Sequence, residues 1–164
     1  MAYFMHRIQY ENNRYQKGIE VHDTLDSAIL SFWGRMKTGY NNPDHATLTF
    51  IHCKITDESG NAVRPYDMSW QKEVMEEPQY FLHHIRKDGE NYAKDIDICQ
   101  SLDTARSSYS AAMEYGYNNP KFPNVSFVSC EITDNFGSVV DPFSDTWVKP
   151  EEEPEQNQNE EGEE

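Results

Sequence analysis

No run of about 18 apolar residues occurs anywhere in the 164 positions, so a membrane-spanning helix is not expected. Cysteine is scarce and odd in number: three residues cannot form a disulfide scaffold, and they point to reduced thiols in a cytoplasmic setting. Met1–Arg7 shows no charged leader ahead of a long apolar stretch, so a signal peptide is not expected either. Basic residues are few, with 14 Lys and Arg against 29 Asp and Glu. That deficit disfavours nucleic acid as a partner, because phosphate binding relies on clustered Lys and Arg. Also missing are a Cys-x-x-Cys pair, a phosphate-cradling Gly-rich loop, a nucleophile elbow and a paired metal-carboxylate motif.

What is present is self-similarity. The string GYNNP occurs at 39–43 and again at 116–120, an offset of 77 positions. At that offset, Tyr3–Glu73 slides onto Tyr80–Pro150 without a gap, and more than a third of the 71 aligned positions are identical. The shared residues include Phe4/Phe81, His6/His83, Phe50/Phe127, Cys53/Cys130, Asp57/Asp134 and Trp70/Trp147. The chain reads as a tandem duplication: a first repeat over 1–73, a short linker over 74–79 expected to be ordered, and a second repeat over 80–150. Two copies are too few for a solenoid. The copies are two small domains or one pseudo-twofold unit, and each is small enough that burying one against the other would stabilise both.

Residues 151–164 carry eight acidic side chains and no basic or apolar one, a composition expected to be disordered. Of the formal charge of −15, they hold −8 and leave −7 on the repeats.

Within a repeat, Tyr3–Gln9 and Tyr15–Val21 alternate as strands about an Asn12-Asn13 turn. Asp23-Thr24 then offers N-cap oxygens. Leu25, Ala28, Ile29, Phe32 and Met36 fall on one helical stripe, matched in the second copy by Ser101 and by Leu102, Ala105, Tyr109, Ala112 and Met113. A strand over Leu48–Thr56 and a hairpin turn at Asp57–Asn61 complete a ββαββ unit. The expected class is α+β, one helix on a mainly antiparallel four-stranded sheet. The element order resembles that of β-grasp domains.

In the pentapeptide, Gly39 stands where a helix commonly ends in a left-handed residue, Asn41 and Asn42 tolerate turns, and Pro43 prevents the helix resuming. The alternative is a binding loop that presents Tyr40, Asn41 and Asn42, with Tyr117, Asn118 and Asn119 in the second copy. Trp70 and Trp147 are expected just past the last strand, folded back as lids on the core, or else exposed as interface anchors. His6, His83, Cys53 and Cys130 have the composition of a tetrahedral zinc site if all four meet across the repeat axis. With His6 on the Phe4/Ile8 side and Cys53 on the Ile51/Ile55 side, both become core residues if those sides face the helix. Asp57 with Gly60 fits a tight hairpin better than a calcium loop, whose acidic ladder is lacking.

No catalytic set emerges and no cofactor is implied. The expectation is a non-catalytic protein, monomer or homodimer, that binds another protein with a basic surface. Small acidic proteins of this profile include phage and mobile-element inhibitors of host defence, a likeness of profile only. The alternative is a small-ligand or nucleotide binder, or an enzyme, with its site in the groove between repeats.

Overall fold

The computed structural model describes residues 1–73 and 79–152. Most of the linker and of the acidic tail therefore lie outside the described residues. The first half consists of β1 (Tyr3–Glu11), β2 (Arg14–His22), α1 (Leu25–Met36), a one-turn 3-10 helix (Pro43–His45), β3 (Leu48–Asp57) and β4 (Ala62–Gln71). The second consists of β5 (Tyr80–Asp88), β6 (Asn91–Cys99), α2 (Leu102–Met113), β7 (Val125–Asp134) and β8 (Val139–Val148). The chain is α+β, with two similar halves.

Each half is one antiparallel sheet, ordered β2-β1-β3-β4 and β6-β5-β7-β8. β2 and β3 both run antiparallel to β1 and flank it, so they are parallel to each other. A tight turn cannot join parallel strands, which is why a helix spans the gap between them. The β-grasp order is not adopted: it would set the first strand beside the last in parallel, whereas β4 pairs only with β3 at the sheet edge.

The helices start where their caps dictate. Thr24 Oγ1 accepts from the Ser27 N–H at 3.2 Å, and Ser101 Oγ from that of Thr104 at 3.1 Å. Ala28, Phe32 and Met36 bury one stripe of α1 against Met5, Ile51, Cys53 and Ile55. In α2 the stripe is thinner, with Ala105 and Met113 buried against Leu82, Val128, Cys130 and Ile132.

The opposite face of each sheet is apolar too, and the two faces close on each other. Phe4, Ile8, Ile19 and Phe50 from one half pack with Phe81, Ile85, Ile96 and Phe127 from the other. Phe4 stacks on Phe127 (ring centroids 5.8 Å) and Phe50 on Phe81 (6.0 Å), so the aromatic pairs exchange between halves. The layers run helix, sheet, sheet, helix. β1 and β3 are thus covered on both faces, which explains why their burial is nearly continuous while β2 and β4 stay half-exposed.

This arrangement corrects the placement of the histidines. The Phe4/His6/Ile8 side faces the other sheet, and Met5 and Leu82 supply the helix-facing side. Trp70 and Trp147 lie within β4 and β8 rather than beyond them. The β3–β4 turn closes as the Asp-x-x-Gly spacing requires: Asp57 Oδ1 accepts from Ser59 and Asn61 N–H, and Gly60 takes φ of 77°. The turn of the second half reaches across, where Ser69 Oγ donates to the Phe136 carbonyl at 2.8 Å.

Since the two sheets share one apolar layer, the halves should unfold together. Phe4→Ala should cost about 3–5 kcal/mol, and urea denaturation followed by near- and far-UV circular dichroism should keep a single transition. Two separated transitions would show that each half is stable without the seam.

Candidate functional site

At the seam, counterpart residues meet. His6 Nδ1 and His83 Nδ1 lie 3.0 Å apart, both rings buried, and each Nε2 is 2.8 Å from a threonine hydroxyl, Thr56 and Thr133 respectively. Two neutral imidazoles satisfy this chain. One ring donates from Nδ1 and takes a proton bond from its threonine, while the other accepts at Nδ1 and donates from Nε2. Burial pushes the pKa of both rings well below the usual histidine value, and the nearby Lys54 ammonium adds to the effect. Lys54 itself is buried and ion-pairs across the seam with Glu131, its own counterpart. His52 Nε2 sits 2.8 Å from Asp67 Oδ1.

The four proposed zinc ligands do not come together. Cys53 and Cys130 lie on the helix-facing sides of their sheets, opposite the histidine pair. Burial raises both thiols to about 12, which keeps them protonated and poor as ligands or nucleophiles. Among the described residues, no group of three or more His, Cys, Asp or Glu is placed to hold a metal ion.

The pentapeptide needs a correction. Gly39 and Gly116 are not left-handed; the residues with positive φ are Tyr40 and Asn41 (both 58°), and Tyr117 and Asn118 (59° and 55°). Glycine is favoured instead by close packing of side chains over the backbone. A Cβ on Gly39 would sit 3.0 Å from Ile51 Cγ2 and 3.3 Å from Trp70 Cε3, and one on Gly116 would sit 3.0 Å from Trp147 Cε3. Asn42 is a clasp: its side chain donates to the Lys37 carbonyl at 2.9 Å and accepts from Asp44 N–H at 3.0 Å. Asn119 repeats this with Glu114 and Lys121. The fold thus brings each loop tyrosine to its own tryptophan, Tyr40 to Trp70 and Tyr117 to Trp147, with centroids 6.1 and 6.2 Å apart. Tyr40 and Tyr117 remain about half exposed, and both tryptophans are partly buried lids on the helix-side cores.

Two features escaped sequence reasoning. On α1, Leu30 is 76% exposed and Trp33 47%, adjacent on the helix surface at i and i+3. Their counterparts in α2 are Ser107 and Ser110, the one sequence signal that marked them. The second is a cavity of about 510 Å³ under α2, lined by residues including Leu82, Arg86, Ala112, Tyr115, Phe122 and Val128. At the groove between halves there is a smaller recess of about 200 Å³, bordered by Phe4, Tyr92 and Phe127.

No family model, curated protein or solved structure matches this chain. Function must therefore be argued from the chain's own surfaces.

Two measurements follow from this geometry. Because both buried rings are neutral, the unfolded chain takes up protons first as pH falls below its own histidine pKa of about 6.5. Stability should hold above pH 7. Below 6.5 it should fall by about 2.7 kcal/mol per pH unit for the two rings together, until the folded state itself protonates. Urea midpoints at pH 7.5 and 5.5 for the wild type and a His6→Leu/His83→Leu variant test this; equal slopes would exclude the pair as the source. For the loop, Gly39→Ala should destabilise by about 1–3 kcal/mol through crowding against Ile51 and Trp70. Asn41→Ala should cost about 1 kcal/mol and Asn41→Gly almost nothing, because only the first is strained at positive φ. Thermal melts that rank the two Asn41 variants equally would remove the backbone explanation.

Proposed function

We propose that this is a non-catalytic, cytoplasmic binding protein that docks on the basic surface of another protein, as an inhibitor or adaptor. The observation that carries the reading is the exposure of Leu30 and Trp33 on α1. The fold does not require it, since α2 holds the same position in its half with serines there. An exposed Trp beside an exposed Leu is suited to anchoring an interface. Asp23 and Asp26, both exposed, stand at the entry of the same helix and supply charge complementary to Lys and Arg. The shared His and Cys residues, in contrast, are occupied in packing and hydrogen bonding at the core. Inhibition of host defence by a phage or mobile-element protein is a role that such a surface would suit.

The two halves are read as a tandem duplication with a pseudo-twofold relation. Self-pairing of counterparts, His6 with His83 and Lys54 with Glu131, is what residues beside a twofold axis do. In an ancestral pair of identical chains, one buried residue type at position 54 would have faced itself. Fusion allowed opposite charges there.

The partner is to be captured from host lysate and identified by mass spectrometry, and its affinity then measured at low and high salt. Leu30→Ser/Trp33→Ser, which copies α2, should weaken binding by tenfold or more and leave the fold unchanged. Truncation after Lys149 should weaken it about tenfold, or 1.4 kcal/mol, at low salt. The tail's effect should shrink as the screening length falls from about 30 Å at 0.01 M to about 8 Å at 0.15 M. Binding indifferent to salt, tail and α1 would overturn the proposal.

A further inference from the structure

The two halves act as controls for each other, and they differ most under their helices. In the first half, Arg35 spans from α1 to β2, where its Nη2 lies 3.9 Å from Glu20 Oε1, and Gln9 is engaged by Glu11 at 2.9 Å. At the corresponding positions the second half has Ala112, Asp97 and Arg86. Loss of the long side chain opens the cavity of about 510 Å³ between α2 and the sheet. That volume lies within the range of small-molecule pockets.

Its walls are mainly apolar: Leu82, Val128, Phe122 and Ala112. The charged and titratable groups lining it are Arg86, His84, Asp97, Glu114, Tyr115 and Cys130. Asp97 is held by His84, Oδ2 to Nε2 at 3.2 Å. Glu114 is exposed. The Cys130 thiol is kept protonated by burial. Arg86 makes no ion pair among the described residues, and it is the one lining group with a buried polar atom, Nε, that lacks a hydrogen-bond partner there. Its guanidinium carbon lies over Tyr115, 3.9 Å from the ring centroid, a cation–π contact that restrains the side chain. A planar, oriented guanidinium matches a carboxylate in bidentate geometry.

We propose that the cavity under α2 binds a small monocarboxylate with an apolar body, of the size of a medium-chain or aryl acid, with its carboxylate on Arg86 and its body against Leu82, Val128 and Phe122. The two carboxylates that also line the site, Asp97 and Glu114, repel any anion, and a dianion such as a phosphate ester about twice as strongly as a monocarboxylate. This site lies apart from the α1 surface and is independent of the docking reading.

Octanoate, 1-octanol and inorganic phosphate serve as probes, with calorimetry and amide NMR shifts on the full chain as readouts. Octanoate should bind saturably and shift the resonances of Leu82, Ala112 and Val128, while phosphate should not compete. Arg86→Gln, which places there the residue found at position 9, should retain the fold and weaken octanoate at least tenfold, with little effect on octanol. Ala112→Leu should block both. Absence of saturable octanoate binding at millimolar concentration would overturn the site. Octanoate affinity unchanged in Arg86→Gln, octanol bound as tightly as octanoate, or displacement by phosphate would overturn the carboxylate assignment.

Discussion

Each sheet in this protein has two apolar faces and only one helix to cover them. A helix on one side protects Met5, Ile51, Cys53 and Ile55, or their counterparts, and leaves Phe4, Ile8, Ile19 and Phe50 facing outward. Half a chain folded alone would expose that aromatic face to water, so closure of one sheet on the other stabilises both. The near-continuous burial of β1 and β3, the exchange of stacked phenylalanines and the crossing contacts of the hairpin turns all follow from it.

A closed seam also determines what polar groups are permitted within it. Histidine at positions 6 and 83 is tolerated because each ring finds the other and a threonine, so that no ring nitrogen is left without a partner. Lys54 is tolerated because Glu131 faces it. Breaking either pair from one side would leave an uncompensated buried group, and a buried charge without its partner is more damaging than the pair is stabilising. The residues with the most evident reactivity in this chain are therefore committed to structure.

Freedom to vary lies elsewhere, on the outer sides of the helices and beneath them. There the halves diverge: α1 carries Leu30, Trp33 and Arg35, while α2 carries Ser107, Ser110 and Ala112. One helix consequently presents an exposed Leu–Trp pair to solvent, and the other roofs a cavity lined by Arg86, whose buried Nε has no hydrogen-bond partner among the described residues. Two similar halves offer two different surfaces because only the seam and the helix stripe constrain them both.

Much of this was legible in the sequence. The offset of 77, the alternation in the strands, the helix stripes, the caps at Asp23-Thr24 and Ser101 and the Asp-x-x-Gly turn are local or periodic signals, and each fixes an element without reference to distant residues. The pentapeptide was legible as a helix stop but not in its mechanism. Gly39 packs tightly under Ile51 and Trp70, residues 12 and 31 positions away, which no local rule conveys. The same limit explains the histidines. Alternation placed His6 on the Phe4 side, yet which layer covers that side depends on how the halves dock. Strand neighbours, the self-pairing of His6 with His83 and of Lys54 with Glu131, and the space left by Ala112 were decided only by the tertiary structure. Each depends on which faces meet, and a sequence pattern specifies that a face is apolar without specifying what will cover it.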